Sequence, residues 1–401
     1  MTSEIKQRIE QIRRGEVPER YVKTALGLAP TDWKRYTFGD IYTERKEPGD
    51  ENLPLLMVSI HSGVSDGEVD AAELPKQVKR IEDKSQYKKA VSGDLVFNMM
   101  RAWQGAIGTV RTTGMVSPAY IVAEPNDKAY PLFMDYYSRT PQMINQLDRQ
   151  SYGVTDFRKR LYWDSFAPIG CILPPIEEQQ KIATILTTQD KVIELKEKRL
   201  AEKQRQKKYL MQQLLTGKKR LPGFLKSWKT VELGEIFNYI QPTAYLVKTT
   251  DYDDSYKTPV LTAGKTFILG YTNETEGVFT KVPVVIFDDF TTATKYVDFP
   301  FKVKSSAMKI LTIKDGLSIV FAYEAMQLIK FTVGGHERHW ISKYSCLTID
   351  IPDIEEQTAI AEVLSAADRE IELLQQDIEQ EKQKKKALMQ LLLTGIVRVK
   401  T

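Results

Sequence analysis

Two carboxylates stand side by side in Phe287–Phe290, which reads FDDF, and paired carboxylates are the raw material of metal-dependent nucleases and of acid–base catalysis. No partner motif accompanies them, so a structural or hydrogen-bonding role is the expected one. Thr262–Phe267, TAGKTF, carries the lysine and threonine of a phosphate-binding loop. The first glycine of such a loop would fall at Pro259, however, and the surroundings are strand-like, with no helix opening at the lysine. The histidines are His61, His336 and His339; the last two, in GGHERHW, have no cysteine or third histidine beside them to complete a metal site. There is no GxGxxG fingerprint and no Asn/Asp-Pro-Pro-aromatic tetrad of an aminomethyltransferase pocket. The expectation is a chain with no catalytic residues and no metal ligands of its own.

Loops suited to reading DNA are better represented. Asn98–Gly108 offers Arg101, Trp103 and Gln104 between strand-like segments. Arg149–Trp163 offers Tyr152, Thr155, Arg158, Lys159 and Arg160 beside a glycine. Further along, Thr291, Thr292, Lys295 and Tyr296 in TTATKY, and His336, Arg338, His339 and Lys343 in GGHERHWISK, occupy comparable positions. Arginine, lysine, glutamine and threonine supply the fork and donor geometries that read base edges or hold phosphates. Bulk charge does not make this case: residues 33–173 carry 18 basic and 18 acidic groups, and the whole chain only +4.

The elements that would position these loops are written twice. PPIEEQQKIATIL (Pro174–Leu186) returns, shifted by 178 positions, within IPDIEEQTAIAEVL (Ile351–Leu364), and the copies end in LMQQLLTG and LMQLLLTG. Between Pro174–Gly217 and Pro352–Gly395, 21 of 44 positions are identical without a gap, which marks a duplication. Each copy reads as a long helix, with glutamates in its first turn and a Thr-Gly stop. Its seam follows spacings of four and three, with Ile182, Leu186, Ile193, Leu200, Leu210 and Leu214 as its apolar members in the first copy, where Gln189 and Lys196 also fall on it, and Ile360, Leu364, Ala367, Ile371, Leu374, Ile378, Leu388 and Leu392 in the second. Polar residues interrupt both seams at the same place, Lys203 and Lys207 against Glu381 and Lys385. Polar seam positions cost stability but disfavour slipped pairings. Two equal helices leaving similar domains can pair antiparallel about an approximate two-fold axis.

A second repeat marks where each domain begins: WKRYTFGDIY (Trp33–Tyr42) against WKTVELGEIF (Trp228–Phe237). Between these anchors and the helices both interiors read β-rich and differ from each other. The expected class is α+β: two globular β-rich domains separated by two long antiparallel coiled-coil helices, pseudo-two-fold symmetric. The segments are an N-terminal helix and linker (1–32), a first domain (33–173), a central helical region (174–217), a second domain (218–350) and a C-terminal helical region (351–401). The linker before Trp33 parallels the stretch before Trp228, so the N-terminal helix is expected to complete the end of the C-terminal one. Cys171 and Cys346 are too few and too far apart for a disulfide framework and read as reduced core thiols. No apolar run reaches the ~18 residues that cross a bilayer, and the N-terminus lacks an apolar secretory stretch, which points to the cytoplasm and away from membranes.

The paired Glu-Glu-Gln helices, their Leu-Leu-Thr-Gly ends and the two W-K…G-acid-Ile starts resemble the specificity subunit of type I restriction-modification enzymes, over essentially the full chain. The resemblance implies two target recognition domains, each reading one half of a bipartite, asymmetric site on double-stranded DNA. It implies that the helical regions set the spacer and dock two modification (methyltransferase) subunits, to which restriction (ATP-dependent translocase/nuclease) subunits join. It also implies that S-adenosylmethionine, ATP and magnesium belong to those partners, leaving this chain without cofactor. The alternatives are a stand-alone nuclease with an unrecognised centre, which would cleave DNA unaided, and a coiled-coil interaction protein, which would not select duplex sequences.

Overall fold

The computed structural model describes residues 3–65, 67, 86–153, 158–262, 266–332 and 339–399. The chain falls into two compact units, Met1–Leu195 with Ile378–Thr401, and Lys196–Asp377. Two long helices, Ile176–Leu214 and Ile354–Leu393, contribute to both. Each unit thus holds one β-rich segment, half of the first long helix and half of the second.

Each unit is built around a four-stranded antiparallel sheet. In the first the order is Tyr42–Arg45, Tyr120–Pro125, Leu95–Asn98, Ile107–Thr109; in the second it is Phe237–Ile240, Met308–Ile313, Val284–Asp288, Thr294–Val297. In chain order both sheets read first, fourth, second, third, so two divergent sequences share one topology. Both faces of each sheet are covered. Leu95 and Phe97 point into one cluster and Val96 into another; Val285 and Phe287 likewise oppose Val284 and Ile286. Successive strand side chains alternate faces, so a strand buried on both sides reads as a continuous apolar run.

Each unit is closed by an antiparallel pair joining the domain's start to its end: Lys34–Thr37 with Gly170–Leu173, and Lys229–Glu232 with Thr348–Ile351. The acid of the G-acid-Ile motif has a local purpose here. Asp40 and Glu235 close capping boxes with Thr37 and Glu232 at the start of a one-turn helix, while Ile41 and Ile236 enter the core. The closing strand then runs into the long helix, so the domain's edge and the helix start are one continuous piece.

The seam divides along its length. Ile182 and Leu186 join Leu392 in the core of the first unit, and Ile360 and Leu364 join Leu214 in that of the second. Ile193 and Ile378 are buried; Leu200, Leu210, Ile371, Leu374 and Leu388 are half-buried. The seam ends are therefore domain core as much as coiled coil. The pairing is antiparallel within each unit, and the polar interruption is made of cross-helix ties. In the first unit Gln189 Nε2 donates to Glu381 Oε2 at 2.6 Å and Lys385 pairs with Asp190. In the second, Lys207 pairs with Asp368 at 2.7 Å, Lys203 with Glu370 at 2.8 Å and Lys196 with Asp377 at 2.8 Å. Asp190–Lys385 and Lys207–Asp368 are the same pair under the 178-residue shift.

Two expectations about the periphery come out differently from one another. The N-terminal segment does lie on the end of the second long helix: Arg8 Nη1 donates to the Ile396 carbonyl and Tyr21 Oη to that of Gly395, at 3.1 and 2.7 Å. Cys171 is buried, and burial pushes its thiol up to about 12. Cys346, expected as a core thiol, is exposed. It sits on the one-turn Tyr344–Cys346 helix just before the closing strand begins at Thr348, outside the run that is buried.

Candidate nucleic-acid interface

In the first unit the two candidate loops meet. The strand Leu95–Asn98 ends in a tight turn, Ala102–Gln104, that leaves Arg101 and Gln104 exposed and half-buries Trp103, whose Nε1 donates to the Met100 carbonyl at 3.0 Å. The second loop folds against it. Leu161 N donates to the Met99 carbonyl at 2.9 Å, and the Lys159 ammonium lies 5.7 Å from the Trp103 ring centre while bonding Asp148 at 2.9 Å. Tyr152 and Arg160 exchange both backbone hydrogen bonds, which holds the loop's two ends together. The result is one surface carrying Arg101, Gln104, Tyr152, Arg158 and Arg160, all exposed. Thr155 lies outside the described residues.

Gly153 is where this loop is most sensitive. A Cβ built on it would lie 2.3 Å from the Arg158 carbonyl oxygen, far inside contact distance and against backbone that cannot swing away. Gly153→Val is expected to spread the loop and lower affinity for any DNA this surface binds, with little change in melting temperature; a titration of duplex DNA against both proteins checks it.

The second unit repeats the juxtaposition with other residues. Thr291 and Thr292 form the turn between Val284–Asp288 and Thr294–Val297, Thr292 with a positive φ of 58°. The FDDF carboxylates build this turn. Asp288 accepts from Phe290 N and Thr291 Oγ1, and Asp289 accepts from Trp340 N at 2.9 Å and pairs with the buried Lys309 at 3.5 Å. Asp289 thereby fastens the second candidate segment to the turn, as the Leu161–Met99 bond does in the first unit. Lys295 and Lys343 are exposed, and Tyr296 is half-buried against Tyr323. His339 is not a surface residue as expected: it is fully buried with its ring against Phe331, because its backbone is drawn inward by the Asp289 carbonyl. His336 and Arg338 lie outside the described residues. Among the described residues no group of three His, Cys, Asp or Glu side chains converges as a metal site would, and no helix is long and apolar enough to cross a membrane.

What seats each candidate surface on the helices is the Glu-Glu-Gln motif together with an arginine that the seam pattern did not flag. In the first unit Glu178, 1% exposed, accepts from Trp33 Nε1 at 3.3 Å and holds Arg398 through two bonds, Nε to Oε1 at 2.8 Å and Nη2 to Oε2 at 2.7 Å. In the second unit Glu356 accepts from Trp228 Nε1 at 3.0 Å and from Arg220 Nε and Nη2 at 2.6 and 2.5 Å. Each arginine also stacks over its tryptophan, at 5.9 and 5.4 Å. The bidentate geometry is what a guanidinium offers a carboxylate and a lysine does not. Hydrogen bonding to Glu178 and Asp32 holds the Arg398 guanidinium well above its ordinary range.

The glutamine that follows completes the seat. Gln179 Nε2 donates to the Pro174 carbonyl and Oε1 accepts from Tyr130 N; Gln357 does the same with Pro352 and Ser318. Tyr130 and Ser318 cap the domain helices Pro131–Tyr137 and Ile319–Met326. A signal for the clasp was present: Arg220 and Arg398 are also 178 residues apart, three positions beyond the shared Thr-Gly. They occupy the same place although Arg220 precedes its tryptophan by eight residues and Arg398 follows its own at the other end of the chain. The glycines between, Gly217 and Gly395, have φ of 66° and 69° and turn the chain from helix to arginine.

The sequence profile described as the type I restriction modification DNA specificity domain matches residues 70–204 and 226–383. The chain is 55% identical over 140 residues to the EcoR124I/EcoR124II specificity subunit of Escherichia coli, an alignment covering 33% of this chain and 34% of that one. It is 25% identical over 430 residues, 96% of this chain and 98% of the other, to the protein named putative type I restriction enzyme MjaX specificity subunit of Methanocaldococcus jannaschii. A crystal structure of the type I restriction-modification system S subunit from M. genitalium superposes with a TM-score of 0.62 at 12% identity, covering 92% of this chain and 97% of that one, a likeness of fold.

Proposed function

Because the chain belongs to the type I restriction-modification DNA specificity family, we propose that its two units read the two halves of one bipartite, asymmetric site. The single observation that carries this reading is the same sheet topology and the same loop-on-turn juxtaposition built twice with different exposed residues. Arg101, Gln104, Tyr152, Arg158 and Arg160 face one half-site, and Thr291, Lys295 and Lys343 the other. Arginine forks suit guanine edges and hydroxyls suit several bases, so unlike surfaces imply unlike half-sites.

The paired long helices set the spacer and dock two modification subunits, with restriction subunits joining that core in the cytoplasm. The chain itself is non-catalytic. S-adenosylmethionine, ATP and magnesium act on the partner subunits, and this chain supplies position alone. The test is selection of duplexes from a random pool by the chain in complex with its modification subunit. The expected outcome is two dissimilar half-sites at one fixed spacing. Metal-dependent cleavage by the purified chain, or retention of duplexes without sequence preference, would count against the reading.

A further inference from the structure

Each unit has a cleft between the last turns of a long helix and the segment that follows the domain helix; in the second unit Gln327 on its rim donates to Thr294 Oγ1 of the candidate turn segment at 2.7 Å. In the first unit it encloses about 390 Å³ between Lys382–Thr394 and Thr140–Gln142; in the second about 480 Å³ between Lys208–Lys218 and Gln327–Lys330. The two clefts are the same feature under the duplication. Lys386, Gln390 and Thr394 on one floor answer to Lys208, Gln212 and Thr216 on the other, at a helical spacing of four that puts all three on one face. Among the described residues no acidic side chain lines either cleft. Among the described residues Lys386, and Lys208, Lys218 and Lys330, have no carboxylate partner, whereas the neighbouring Lys385 and Lys207 are held by Asp190 and Asp368. Carboxylates on the opposite long helix thus tie one lysine of each Lys-Lys pair and leave the other without an acidic partner.

Uncompensated lysines beside glutamine and threonine, with no acid among them, form a surface for an anion that is recognised by charge and neutral donors. In the first unit the cleft also lies at one end of the helix Pro141–Gln150, whose other end carries Asp148, the partner of Lys159 in the reading loop. Ten helical residues span about 15 Å, less than the width of a DNA duplex. We infer that these two clefts are DNA phosphate-contact sites, one per unit, that grip the backbone flanking each half-site independently of its sequence. The inference rests on the DNA-reading function proposed above.

The test uses the full chain with its modification subunit and two duplexes, one carrying the selected site and one with the same composition scrambled, titrated across a range of salt. Lys208→Gln with Lys386→Gln, and separately Lys330→Gln with Lys218→Gln, leave the reading loops and the Arg–Glu clasps intact. Each lysine removed is expected to lower affinity for both duplexes by about threefold at moderate salt and to reduce the slope of log affinity against log salt by about 0.9, with the selected sequence unchanged. An unchanged slope with wild-type affinity would overturn the clefts while leaving the function standing. Unchanged DNA binding with loss of the modification subunit would assign the clefts to an acidic protein surface instead and overturn the inference equally. Failure of the wild-type complex to prefer the selected duplex would instead defeat the DNA-reading function itself.

Discussion

Arg398→Ala is expected to destabilise the first unit by about 3–5 kcal/mol, because it leaves the buried Glu178 carboxylate without its cation. Among the described residues the glutamate would keep the Trp33 Nε1 donor and the Val399 amide, both at 3.3 Å. Arg220→Ala should also destabilise the second unit, through the Glu356 carboxylate it leaves with fewer donors. Removing both charges is a different perturbation: Glu178→Gln combined with Arg398→Met leaves no buried ion and should recover much of the loss. Urea unfolding of the three proteins measures this. A loss below about 1 kcal/mol in the single variant, the range of an exposed pair, would mean that the clasp does not seat the domain.

Exchanging residues 33–170 for the corresponding segment of a relative with a different target is expected to change one half-site completely and the other not at all. The segment begins at the tryptophan and ends in the closing strand, so it carries the candidate loops of one unit and leaves Glu178, Gln179 and Arg398 in place to receive it. The complementary change, a heptad inserted in each long helix at equivalent positions, should alter the spacer and neither half-site. Whole heptads keep the seam in phase and the cross-helix pairs in register. Binding-site selection on both proteins reads the two effects separately; an insertion that rewrote a half-site would contradict the division of labour.

The helices were legible because duplication prints them twice, and an ungapped match of that length reports both the element and its ends. The domain starts were legible from Trp33 and Trp228, and their Gly-acid-Ile tails turn out to be a capping box and a core residue. Glu178 and Glu356 were visible as identities but looked like ordinary first-turn acids; their burial comes from the tryptophan and the arginine that fold over them, which no local pattern encodes. Arg398 was hardest to see, since its tryptophan, Trp33, lies far upstream of it, whereas Arg220 stands eight residues before Trp228. His339 and Cys346 show the converse limit. A polar loop residue can be drawn inside by one backbone bond, and an apolar run can leave its first residue outside. The candidate loops share composition with any exposed loop, so sequence could nominate Arg101 or Arg160 but not join them; the Leu161–Met99 and Trp340–Asp289 bonds do that.

Sequencing of methylated bases in the DNA of cells that express this chain with its modification subunit tests the central claim most directly. Two unlike readers carried by one pair of helices predict a single interrupted motif whose halves differ and whose gap never varies. A continuous motif, two motifs occurring independently of each other, or methylation without sequence preference would contradict it.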